Sequence, residues 1–375
     1  LLLTAAFVAF ASVIVTSLDR GQLVASFQSV GADYRVEQTG TGSVGVVDPA
    51  TIDGVEAAAF GYVDPLADFT SVPNQRSAIY LDAIDAAGYA AVTSGTPAEP
   101  HWPAAFAADP PSAGAGTDAQ PIPAILSGSL PTGSADLHNG DTFSMEVADQ
   151  PLTFWVVERR ASMPGIGQPA AFALVPYAWL EHADLSRRAY ATDLWLRGSA
   201  EAATPLAEAL TQVAGPTRVT SRHDVIAVLR DVPFGAAISS GFGLAVIVAE
   251  IYLALTVVGA LVLSSARRTR DLAYLRTLGV TGGQALALTV AEHAPAVLLS
   301  VVPGVLLGIG VALLLEPSLG LGTFVGAGNV PPFIDWPTLA LLTGVLLAVV
   351  AVAILLGTWL SRRARLVNAL RVGED

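Results

Sequence analysis

The 375-residue chain contains no cysteine and no lysine. Without cysteine it has neither a disulfide framework nor a thiolate metal site. Without lysine it has no Walker A loop, whose lysine must reach the nucleotide phosphates. The chain is therefore not a conventional P-loop NTPase, and any ATP hydrolysis linked to it belongs to another subunit. Charge is scarce as well: 14% of residues are charged against 53% hydrophobic, and the mean hydropathy is +0.57. That balance is too apolar for an ordinary soluble domain.

Catalytic signatures are also missing. The five histidines include none at the H-x-x-x-H or H-E-x-x-H spacing that places two ligands on one helix face, so no metal site is expected. No G-x-S-x-G nucleophile elbow occurs. Carboxylate pairs such as Asp82 and Asp85 read as solvated surface. Nothing points to catalysis, and no cofactor is expected on this chain.

What the chain does have is long apolar runs, over residues 1–18, 236–266, 285–315 and 338–360. Each approaches or exceeds the roughly 17–25 residues that a helix needs to cross about 30 Å of hydrocarbon. Four transmembrane helices are the reading. In the first run Ala9-Phe10-Ala11 is similar to a signal-peptidase site, but Val13-Ile14-Val15 continue the apolar run past it and no basic region precedes it. A span is the expectation there. The sequence opens on Leu1 rather than methionine, which leads us to expect that an upstream piece precedes it.

Charge orients these spans. The loop around 267–284 carries Arg267, Arg268, Arg270 and Arg276, and the tail 361–375 carries Arg362, Arg363, Arg365 and Arg371. The loop 316–337 has no arginine at all. By the positive-inside rule the first two are cytoplasmic and the third faces out. Residues 19–235, between the first and second spans, must then lie outside. This segment holds 25 acidic and 11 basic residues, a net of −14 against −13 for the whole chain. Such a balance argues against a nucleic-acid partner.

The outside segment reads as α+β. GADYRVEQT (31–39) predicts a strand, DPATIDGVEAAAF (48–60) a helix capped by Asp48 with Pro49 in its first turn, and SAIYLDAID (77–85) a second strand. Residues 96–123, rich in proline, alanine and glycine without a period, predict a mobile loop. Four short β-type runs over about 121–177, with a turn at 138–141, predict a β-rich insertion. Further on, ATDLWLRG (191–198) and PTRVTS (216–221) read as strands. The run 200–213 and the run 221–232 read as helices, the latter opening on Ser221-x-x-Asp224 and placing Val225, Val228, Leu229 and Val232 at helical spacing.

Ionisable groups inside the spans are costly, by a few kcal/mol on insertion scales, and so are functional candidates. Glu250 stands near the middle of the second span, and Glu292 and His293 lie about two turns into the third. Each is read as a gate or interhelical polar contact, against the alternative of a group facing a polar crevice or the interface. Gly304-x-x-x-Gly308 is a small-xxx-small pattern that lets another helix approach closely.

The stretch between the second and third spans then acquires a resemblance. Arg267-Arg268-Thr269-Arg270-Asp271, followed by Leu275-Arg276-Thr277-Leu278-Gly279, Gln284 and Glu292, resembles the FtsX-like permease pattern. The likeness continues through Pro303-Gly304-Val305-Leu306-Leu307-Gly308 and ends at Ala369-Leu370-Arg371. Gly31-Ala32-Asp33, with the run from Pro121 through Pro176, is similar to the extracytoplasmic domain of MacB-type members. Thr277 stands where alanine is usual.

The resemblance implies an α-helical bundle of four spans with a large α+β extracytoplasmic domain like the MacB periplasmic core. It implies a permease subunit of the type VII, mechanotransmission class of ABC transporters in the cell membrane. A separate ABC ATPase would bind the ATP, and a second permease copy or repeat would complete the assembly within the lipid. The substrate would be amphiphilic or peptide-like. The alternative is a non-transporting regulator of an extracellular cell-wall hydrolase or sensor. Arg267, Arg268, Arg270, Asp271, Leu275, Arg276, Leu278 and Gly279 would couple to the ATPase from a short cytoplasmic helix over 267–284.

Overall fold

The computed structural model describes the chain apart from residues 41, 47, 73–74, 132–135, 166–170, 184, 186–189, 200, 202–204, 207–215, 232, 278–281, 320–331 and 372–375. Within helices, only the backbone is described for 233–236, 239, 261–277, 282–283, 285–290, 292–293, 316–319 and 357–371. The chain divides into two units, one of Leu1–Gln22 with Arg230–Asp375 and one of Leu23–Leu229.

The membrane unit is helical. Helix α1 covers Leu2–Val30, well beyond the predicted end of the first span at residue 18. Asp19, Arg20 and Gln22 break the hydropathy without breaking the helix, because none of them removes a backbone donor. Gly31, at a φ of +87°, ends it, its N–H donating to the carbonyl of Phe27 at 2.7 Å. This is a left-handed glycine cap.

Three more long helices follow three short ones. Helices α2 (Ala86–Thr93), α3 (Tyr177–Glu181) and α4 (Arg222–Asp231) precede α5 (Pro233–Thr277), α6 (Gly282–Leu319) and α7 (Trp336–Arg371). The windows long and apolar enough to cross a membrane are Leu2–Val30, Ser240–Ala260, Ala294–Leu315 and Trp336–Leu356. The sequence reading separates the second span from a coupling helix at residue 267, but the backbone of α5 runs unbroken from Pro233 to Thr277. The physical reason is local: residues 261–277 contain neither glycine nor proline and are rich in Leu, Ala and Arg, all good helix formers. At 1.5 Å per residue the helix is about 68 Å long, more than twice the hydrocarbon thickness. Likewise α7 continues through the predicted tail to Arg371.

The second unit is built on nine strands: β1 (Tyr34–Gln38), β2 (Val55–Val72), β3 (Gln75–Ile84), β4 (Ile122–Ser127), β5 (Thr142–Val147), β6 (Gln150–Arg160), β7 (Phe172–Pro176), β8 (Asp193–Gly198) and β9 (Thr217–Ser221). They form one sheet in the order β3-β7-β4-β6-β5-β2-β8-β1-β9, and β3 also pairs with β2. That last pairing closes six strands, β2, β3, β7, β4, β6 and β5, into a ring. The ring is filled by Phe69, Leu81, Ile122, Leu126, Phe143 and Phe154 among others. Outside the ring, α2 covers the sheet through Tyr89 and Val92 against Trp195, Ile125 and Leu174. Tyr34, Val36, Leu194 and Leu196 pack a third cluster with Val44 and Ile52.

Four expectations are corrected here. Residues 48–60 are not a helix: Asp48 caps a single 3-10 turn at Pro49–Thr51, accepting from the N–H of Ala50 at 3.1 Å. Gly54, at a φ of +84°, then turns the chain into β2, whose alanines pair with β8. Tertiary pairing overrides helix propensity there. The four strands of the presumed insertion are not a separate body, because β2 and β3 complete their ring. The proline-rich segment 96–123 is packed rather than loose: Trp102 stacks on Phe106 with centroids 4.7 Å apart, Phe106 is fully buried, and the Trp102 indole N–H donates to Ala86. Asp82, read as solvated, is only 1% exposed, since β3 carries it into the interior. The helix read over 200–213 falls largely outside the described residues.

Candidate functional site

Small residues bring α1 and α6 into backbone contact. A Cβ on Gly304 would stand 2.6 Å from the carbonyl oxygen of Leu2 and 2.8 Å from Cβ of Ala5. A Cβ on Gly308 would collide with the carbonyl of Ala6 and stand 2.8 Å from Cβ of Ala9. Glycine is thus required at both positions for the helices to approach as they do. Around this contact Val13 and Ile14 of α1 meet Ile309, Ala312 and Leu339. Lower hydrophobic contacts join Ala5 to Leu253, Val301, Leu346 and Val350. The segment entering α7 is fastened to α1 by polar groups: the N–H of Phe333 donates to Ser17 Oγ at 2.9 Å, and Arg20 lies over the Phe333 ring at 5.3 Å.

This arrangement leaves the second span least covered. In α1 56% of the apolar window is buried, in the α5 window 6%. The outward residues of α5, among them Leu244, Val248, Ile251 and Leu255, are more than half exposed, as lipid-facing residues are. Between α1, α5 and α7 lies a cleft of about 360 Å³ lined by apolar side chains, with Ser12, Thr16, Thr338 and Glu250 as its polar lining. Oε1 of Glu250 is buried without a hydrogen-bond partner among the described residues.

The second unit has its own polar fastening where the chain enters and leaves it. Arg222, at the start of α4, pairs with Asp33, just after α1, at 2.9 Å, and both side chains are less than one-fifth exposed. The backbone N–H of Arg222 donates to the Asp33 carbonyl at 2.8 Å, and the guanidinium lies 4.5 Å from the Phe27 ring. Next to it, β1 and β9 run antiparallel with Tyr34 opposite Ser221. The last turn of α1 and the first turn of α4 are so clasped together. Gly31 and Gly165 cross closely beside the clasp, where a Cβ on Gly31 would stand 2.8 Å from Gly165 Cα.

Deeper in the same unit, Arg35 of β1 donates from Nε and Nη2 to Asp193 Oδ1 at 3.0 and 2.8 Å, and from Nη2 to the Tyr80 hydroxyl at 3.1 Å. Nη1 reaches the Gly165 carbonyl. Burial pushes Asp193 above the usual carboxylate range in spite of Arg35. Burial also pushes Asp82 up to about 8, with Arg35 working against the shift and Asp193 with it. Both oxygens of Asp82 lack hydrogen-bond partners among the described residues, which fits a neutral carboxyl. Sequence reasoning missed this group, the Arg222 clasp and the cleft. The only available signal was Gly31-Ala32-Asp33 itself, quoted above for a different reason.

The residues read as coupling to an ATPase fall differently. Arg267, Arg268, Arg270, Asp271, Leu275 and Arg276 lie on the backbone of α5, their side chains outside the described residues. Leu278 and Gly279 lie outside the described residues altogether. Glu292 and His293 are on α6, again without described side chains. The structure therefore brings together Gly304 and Gly308 with α1, and Glu250 with the cleft, but says nothing of contacts among the arginines. Among the described residues no group of His, Asp and Glu could hold a metal ion.

Residues 242–369 match the family described as FtsX-like permease C-terminal. A comparison with curated proteins finds no match. Among solved structures the chain is similar to the periplasmic region of MacB from Actinobacillus actinomycetemcomitans, at 10% identity and a TM-score of 0.31, over 54% of this chain and 95% of that one. It is also similar to the extracellular domain of the noncanonic ABC-type transporter YknZ from Gram-positive bacteria, at 14% identity and a TM-score of 0.27, over 51% of this chain and 100% of that one. Likenesses at that level carry no argument about this chain, so the weight rests on the membrane part. The likeness to FtsX-like permeases thus lies in residues 242–369, which run from the second span through the fourth.

Proposed function

We propose that this chain is a permease subunit of an ABC transporter whose separate ATPase binds and hydrolyses the ATP, with a second permease copy or repeat completing the assembly. The observation that carries the reading is the FtsX-like match over residues 242–369, because it includes the arginine-rich stretch 267–276 between two spans. Charge sorting supports an orientation with that stretch and the tail in the cytoplasm and the unit Leu23–Leu229 outside. ATP-driven closure of the ATPases would move the inner end of α5, and the long helices would carry that movement to the outside unit. The work done there is export or extraction of an amphiphilic or peptide-like substrate.

The test is co-purification and turnover. The chain should copurify with an ATPase, and Arg276→Glu should lower the response of ATP turnover to the permease while leaving membrane insertion intact. Absence of any associated ATPase overturns the proposal. Reconstituted vesicles distinguish the two outputs: ATP-dependent movement of substrate supports transport, whereas activation of a wall hydrolase without flux supports the regulatory alternative.

A further inference from the structure

The cleft between α1, α5 and α7 combines apolar walls with a single acid. Its volume of about 360 Å³ lies in the range of about 300–1,000 Å³ typical of small-ligand sites. Ala11 and Val15 of α1, Val246 and Ile247 of α5, and Leu342 and Val345 of α7 line it, and no basic residue does among the described residues. Glu250 is the eleventh of the 21 residues of the Ser240–Ala260 window, at its middle. Its Oε1 is buried with no hydrogen-bond partner among the described residues.

Two of the three neighbouring hydroxyls, those of Thr16 and Thr338 but not that of Ser12, donate elsewhere. Thr16 Oγ1 donates to the Ser12 carbonyl at 2.8 Å, and Thr338 Oγ1 to Asp335 Oδ2 at 2.5 Å. Water is a poor filler for a cavity with so few polar partners. Nor does a second copy of this chain offer a permanent cation at that depth, since residues 236–266, 285–315 and 338–360 contain no arginine or lysine, and their one histidine, His293, lies near the start of the third span rather than at its middle. An acid placed in hydrocarbon without a partner is strongly disfavoured. The chemistry that satisfies it is a donor carried on an apolar body.

We infer that this cleft binds a lipophilic ammonium compound from the membrane phase, its alkyl chain along the apolar walls and its ammonium on the Glu250 carboxylate. The site needs no ATPase, so its occupancy can be measured on the permease alone. The full chain is placed in phosphatidylcholine nanodiscs, and binding of radiolabelled dodecylamine is compared with that of dodecanol. A saturable amine site is expected, weakened at least about tenfold in Glu250→Gln and kept in Glu250→Asp, with no saturable dodecanol binding. Because the chain has no cysteine, Ile247→Cys offers a unique label, which dodecylamine should protect from a lipid-soluble maleimide. Val345→Trp fills the cleft while leaving the acid in place and should abolish both binding and protection. Equal amine binding by wild type and Glu250→Gln overturns the inference. So does protection by dodecanol equal to that by the amine, or spontaneous disulfide formation between two Ile247→Cys chains, which would show the cleft covered by a second copy.

Discussion

Arg222 Nη2 lies 2.9 Å from Asp33 Oδ1, joining residues 189 positions apart at the two places where the chain passes into and out of its second unit. The pair is mostly buried, and the guanidinium is further held by the Phe27 ring. A charge-assisted contact of this kind contributes about 1–3 kcal/mol. Arg222→Ala should therefore raise amide hydrogen exchange in residues 27–33 and 222–229 by roughly fivefold to a hundredfold. The exchanged pair Asp33→Arg with Arg222→Asp should recover part of the loss. Unchanged exchange in Arg222→Ala would remove the clasp from consideration.

The glycine contact between α1 and α6 predicts a positional contrast. Gly308→Leu should destabilise the bundle by about 1–3 kcal/mol or more, the usual cost of forcing atoms into a filled space. Gly310→Leu should leave stability nearly unchanged, because a Cβ there meets no atom within 4 Å. Thermal unfolding in detergent compares them. Equal midpoints for the two variants would contradict the close approach of α1.

Asp82 predicts a pH dependence with a definite sign. Its folded value of about 8 exceeds the ordinary 3.8, so the folded state holds the proton more tightly than the unfolded one. Its contribution to stability is complete at low pH and is lost as pH rises between about 4 and 8. Asp82→Asn keeps the shape and removes the titration. Its unfolding midpoint should fall less than that of the wild type across the same interval, and the two should diverge most above about pH 7. Parallel curves would show that Asp82 does not titrate there.

The packed segment 96–123 predicts a protease result. Phe106 is fully buried and stacks on Trp102. Phe106→Ala should cost about 3–5 kcal/mol locally and open residues 96–123 to limited proteolysis, while wild type resists. Equal cleavage of both would restore the reading of a loose loop.

The spans were legible because transfer from water depends on summed hydropathy, which a window of residues reports directly. Helix ends were less so. The run of residues 1–18 gave no hint that α1 continues to Val30, since Asp19 and Arg20 interrupt apolarity but not backbone hydrogen bonding. The β-runs were visible one at a time; their closure into a ring depends on β3 meeting both β2 and β7, and no local pattern records a pairing. Alanine and proline misled twice, in residues 48–60 and 96–123, because small residues suit any surface that a tertiary partner offers. For the candidate site, Glu250, Gly304 and Gly308 stood out by being the wrong kind of residue for a lipid-facing helix. Asp33 and Arg222 did not, since a charge beside a helix end is ordinary until its partner from far along the chain is known.

The pairing of β1 with β9 gives the second unit a direction of weakness. β1 follows α1 and β9 precedes α4, and the two strands are antiparallel, so both chain connections leave from the same end, where Tyr34 faces Ser221. Drawing those connections apart would load the ladder one rung at a time, like a zipper, instead of shearing all its hydrogen bonds together. Tyr34 and Ser221 form the first rung, and the ion pair between Asp33 and Arg222 closes the slider end just ahead of it.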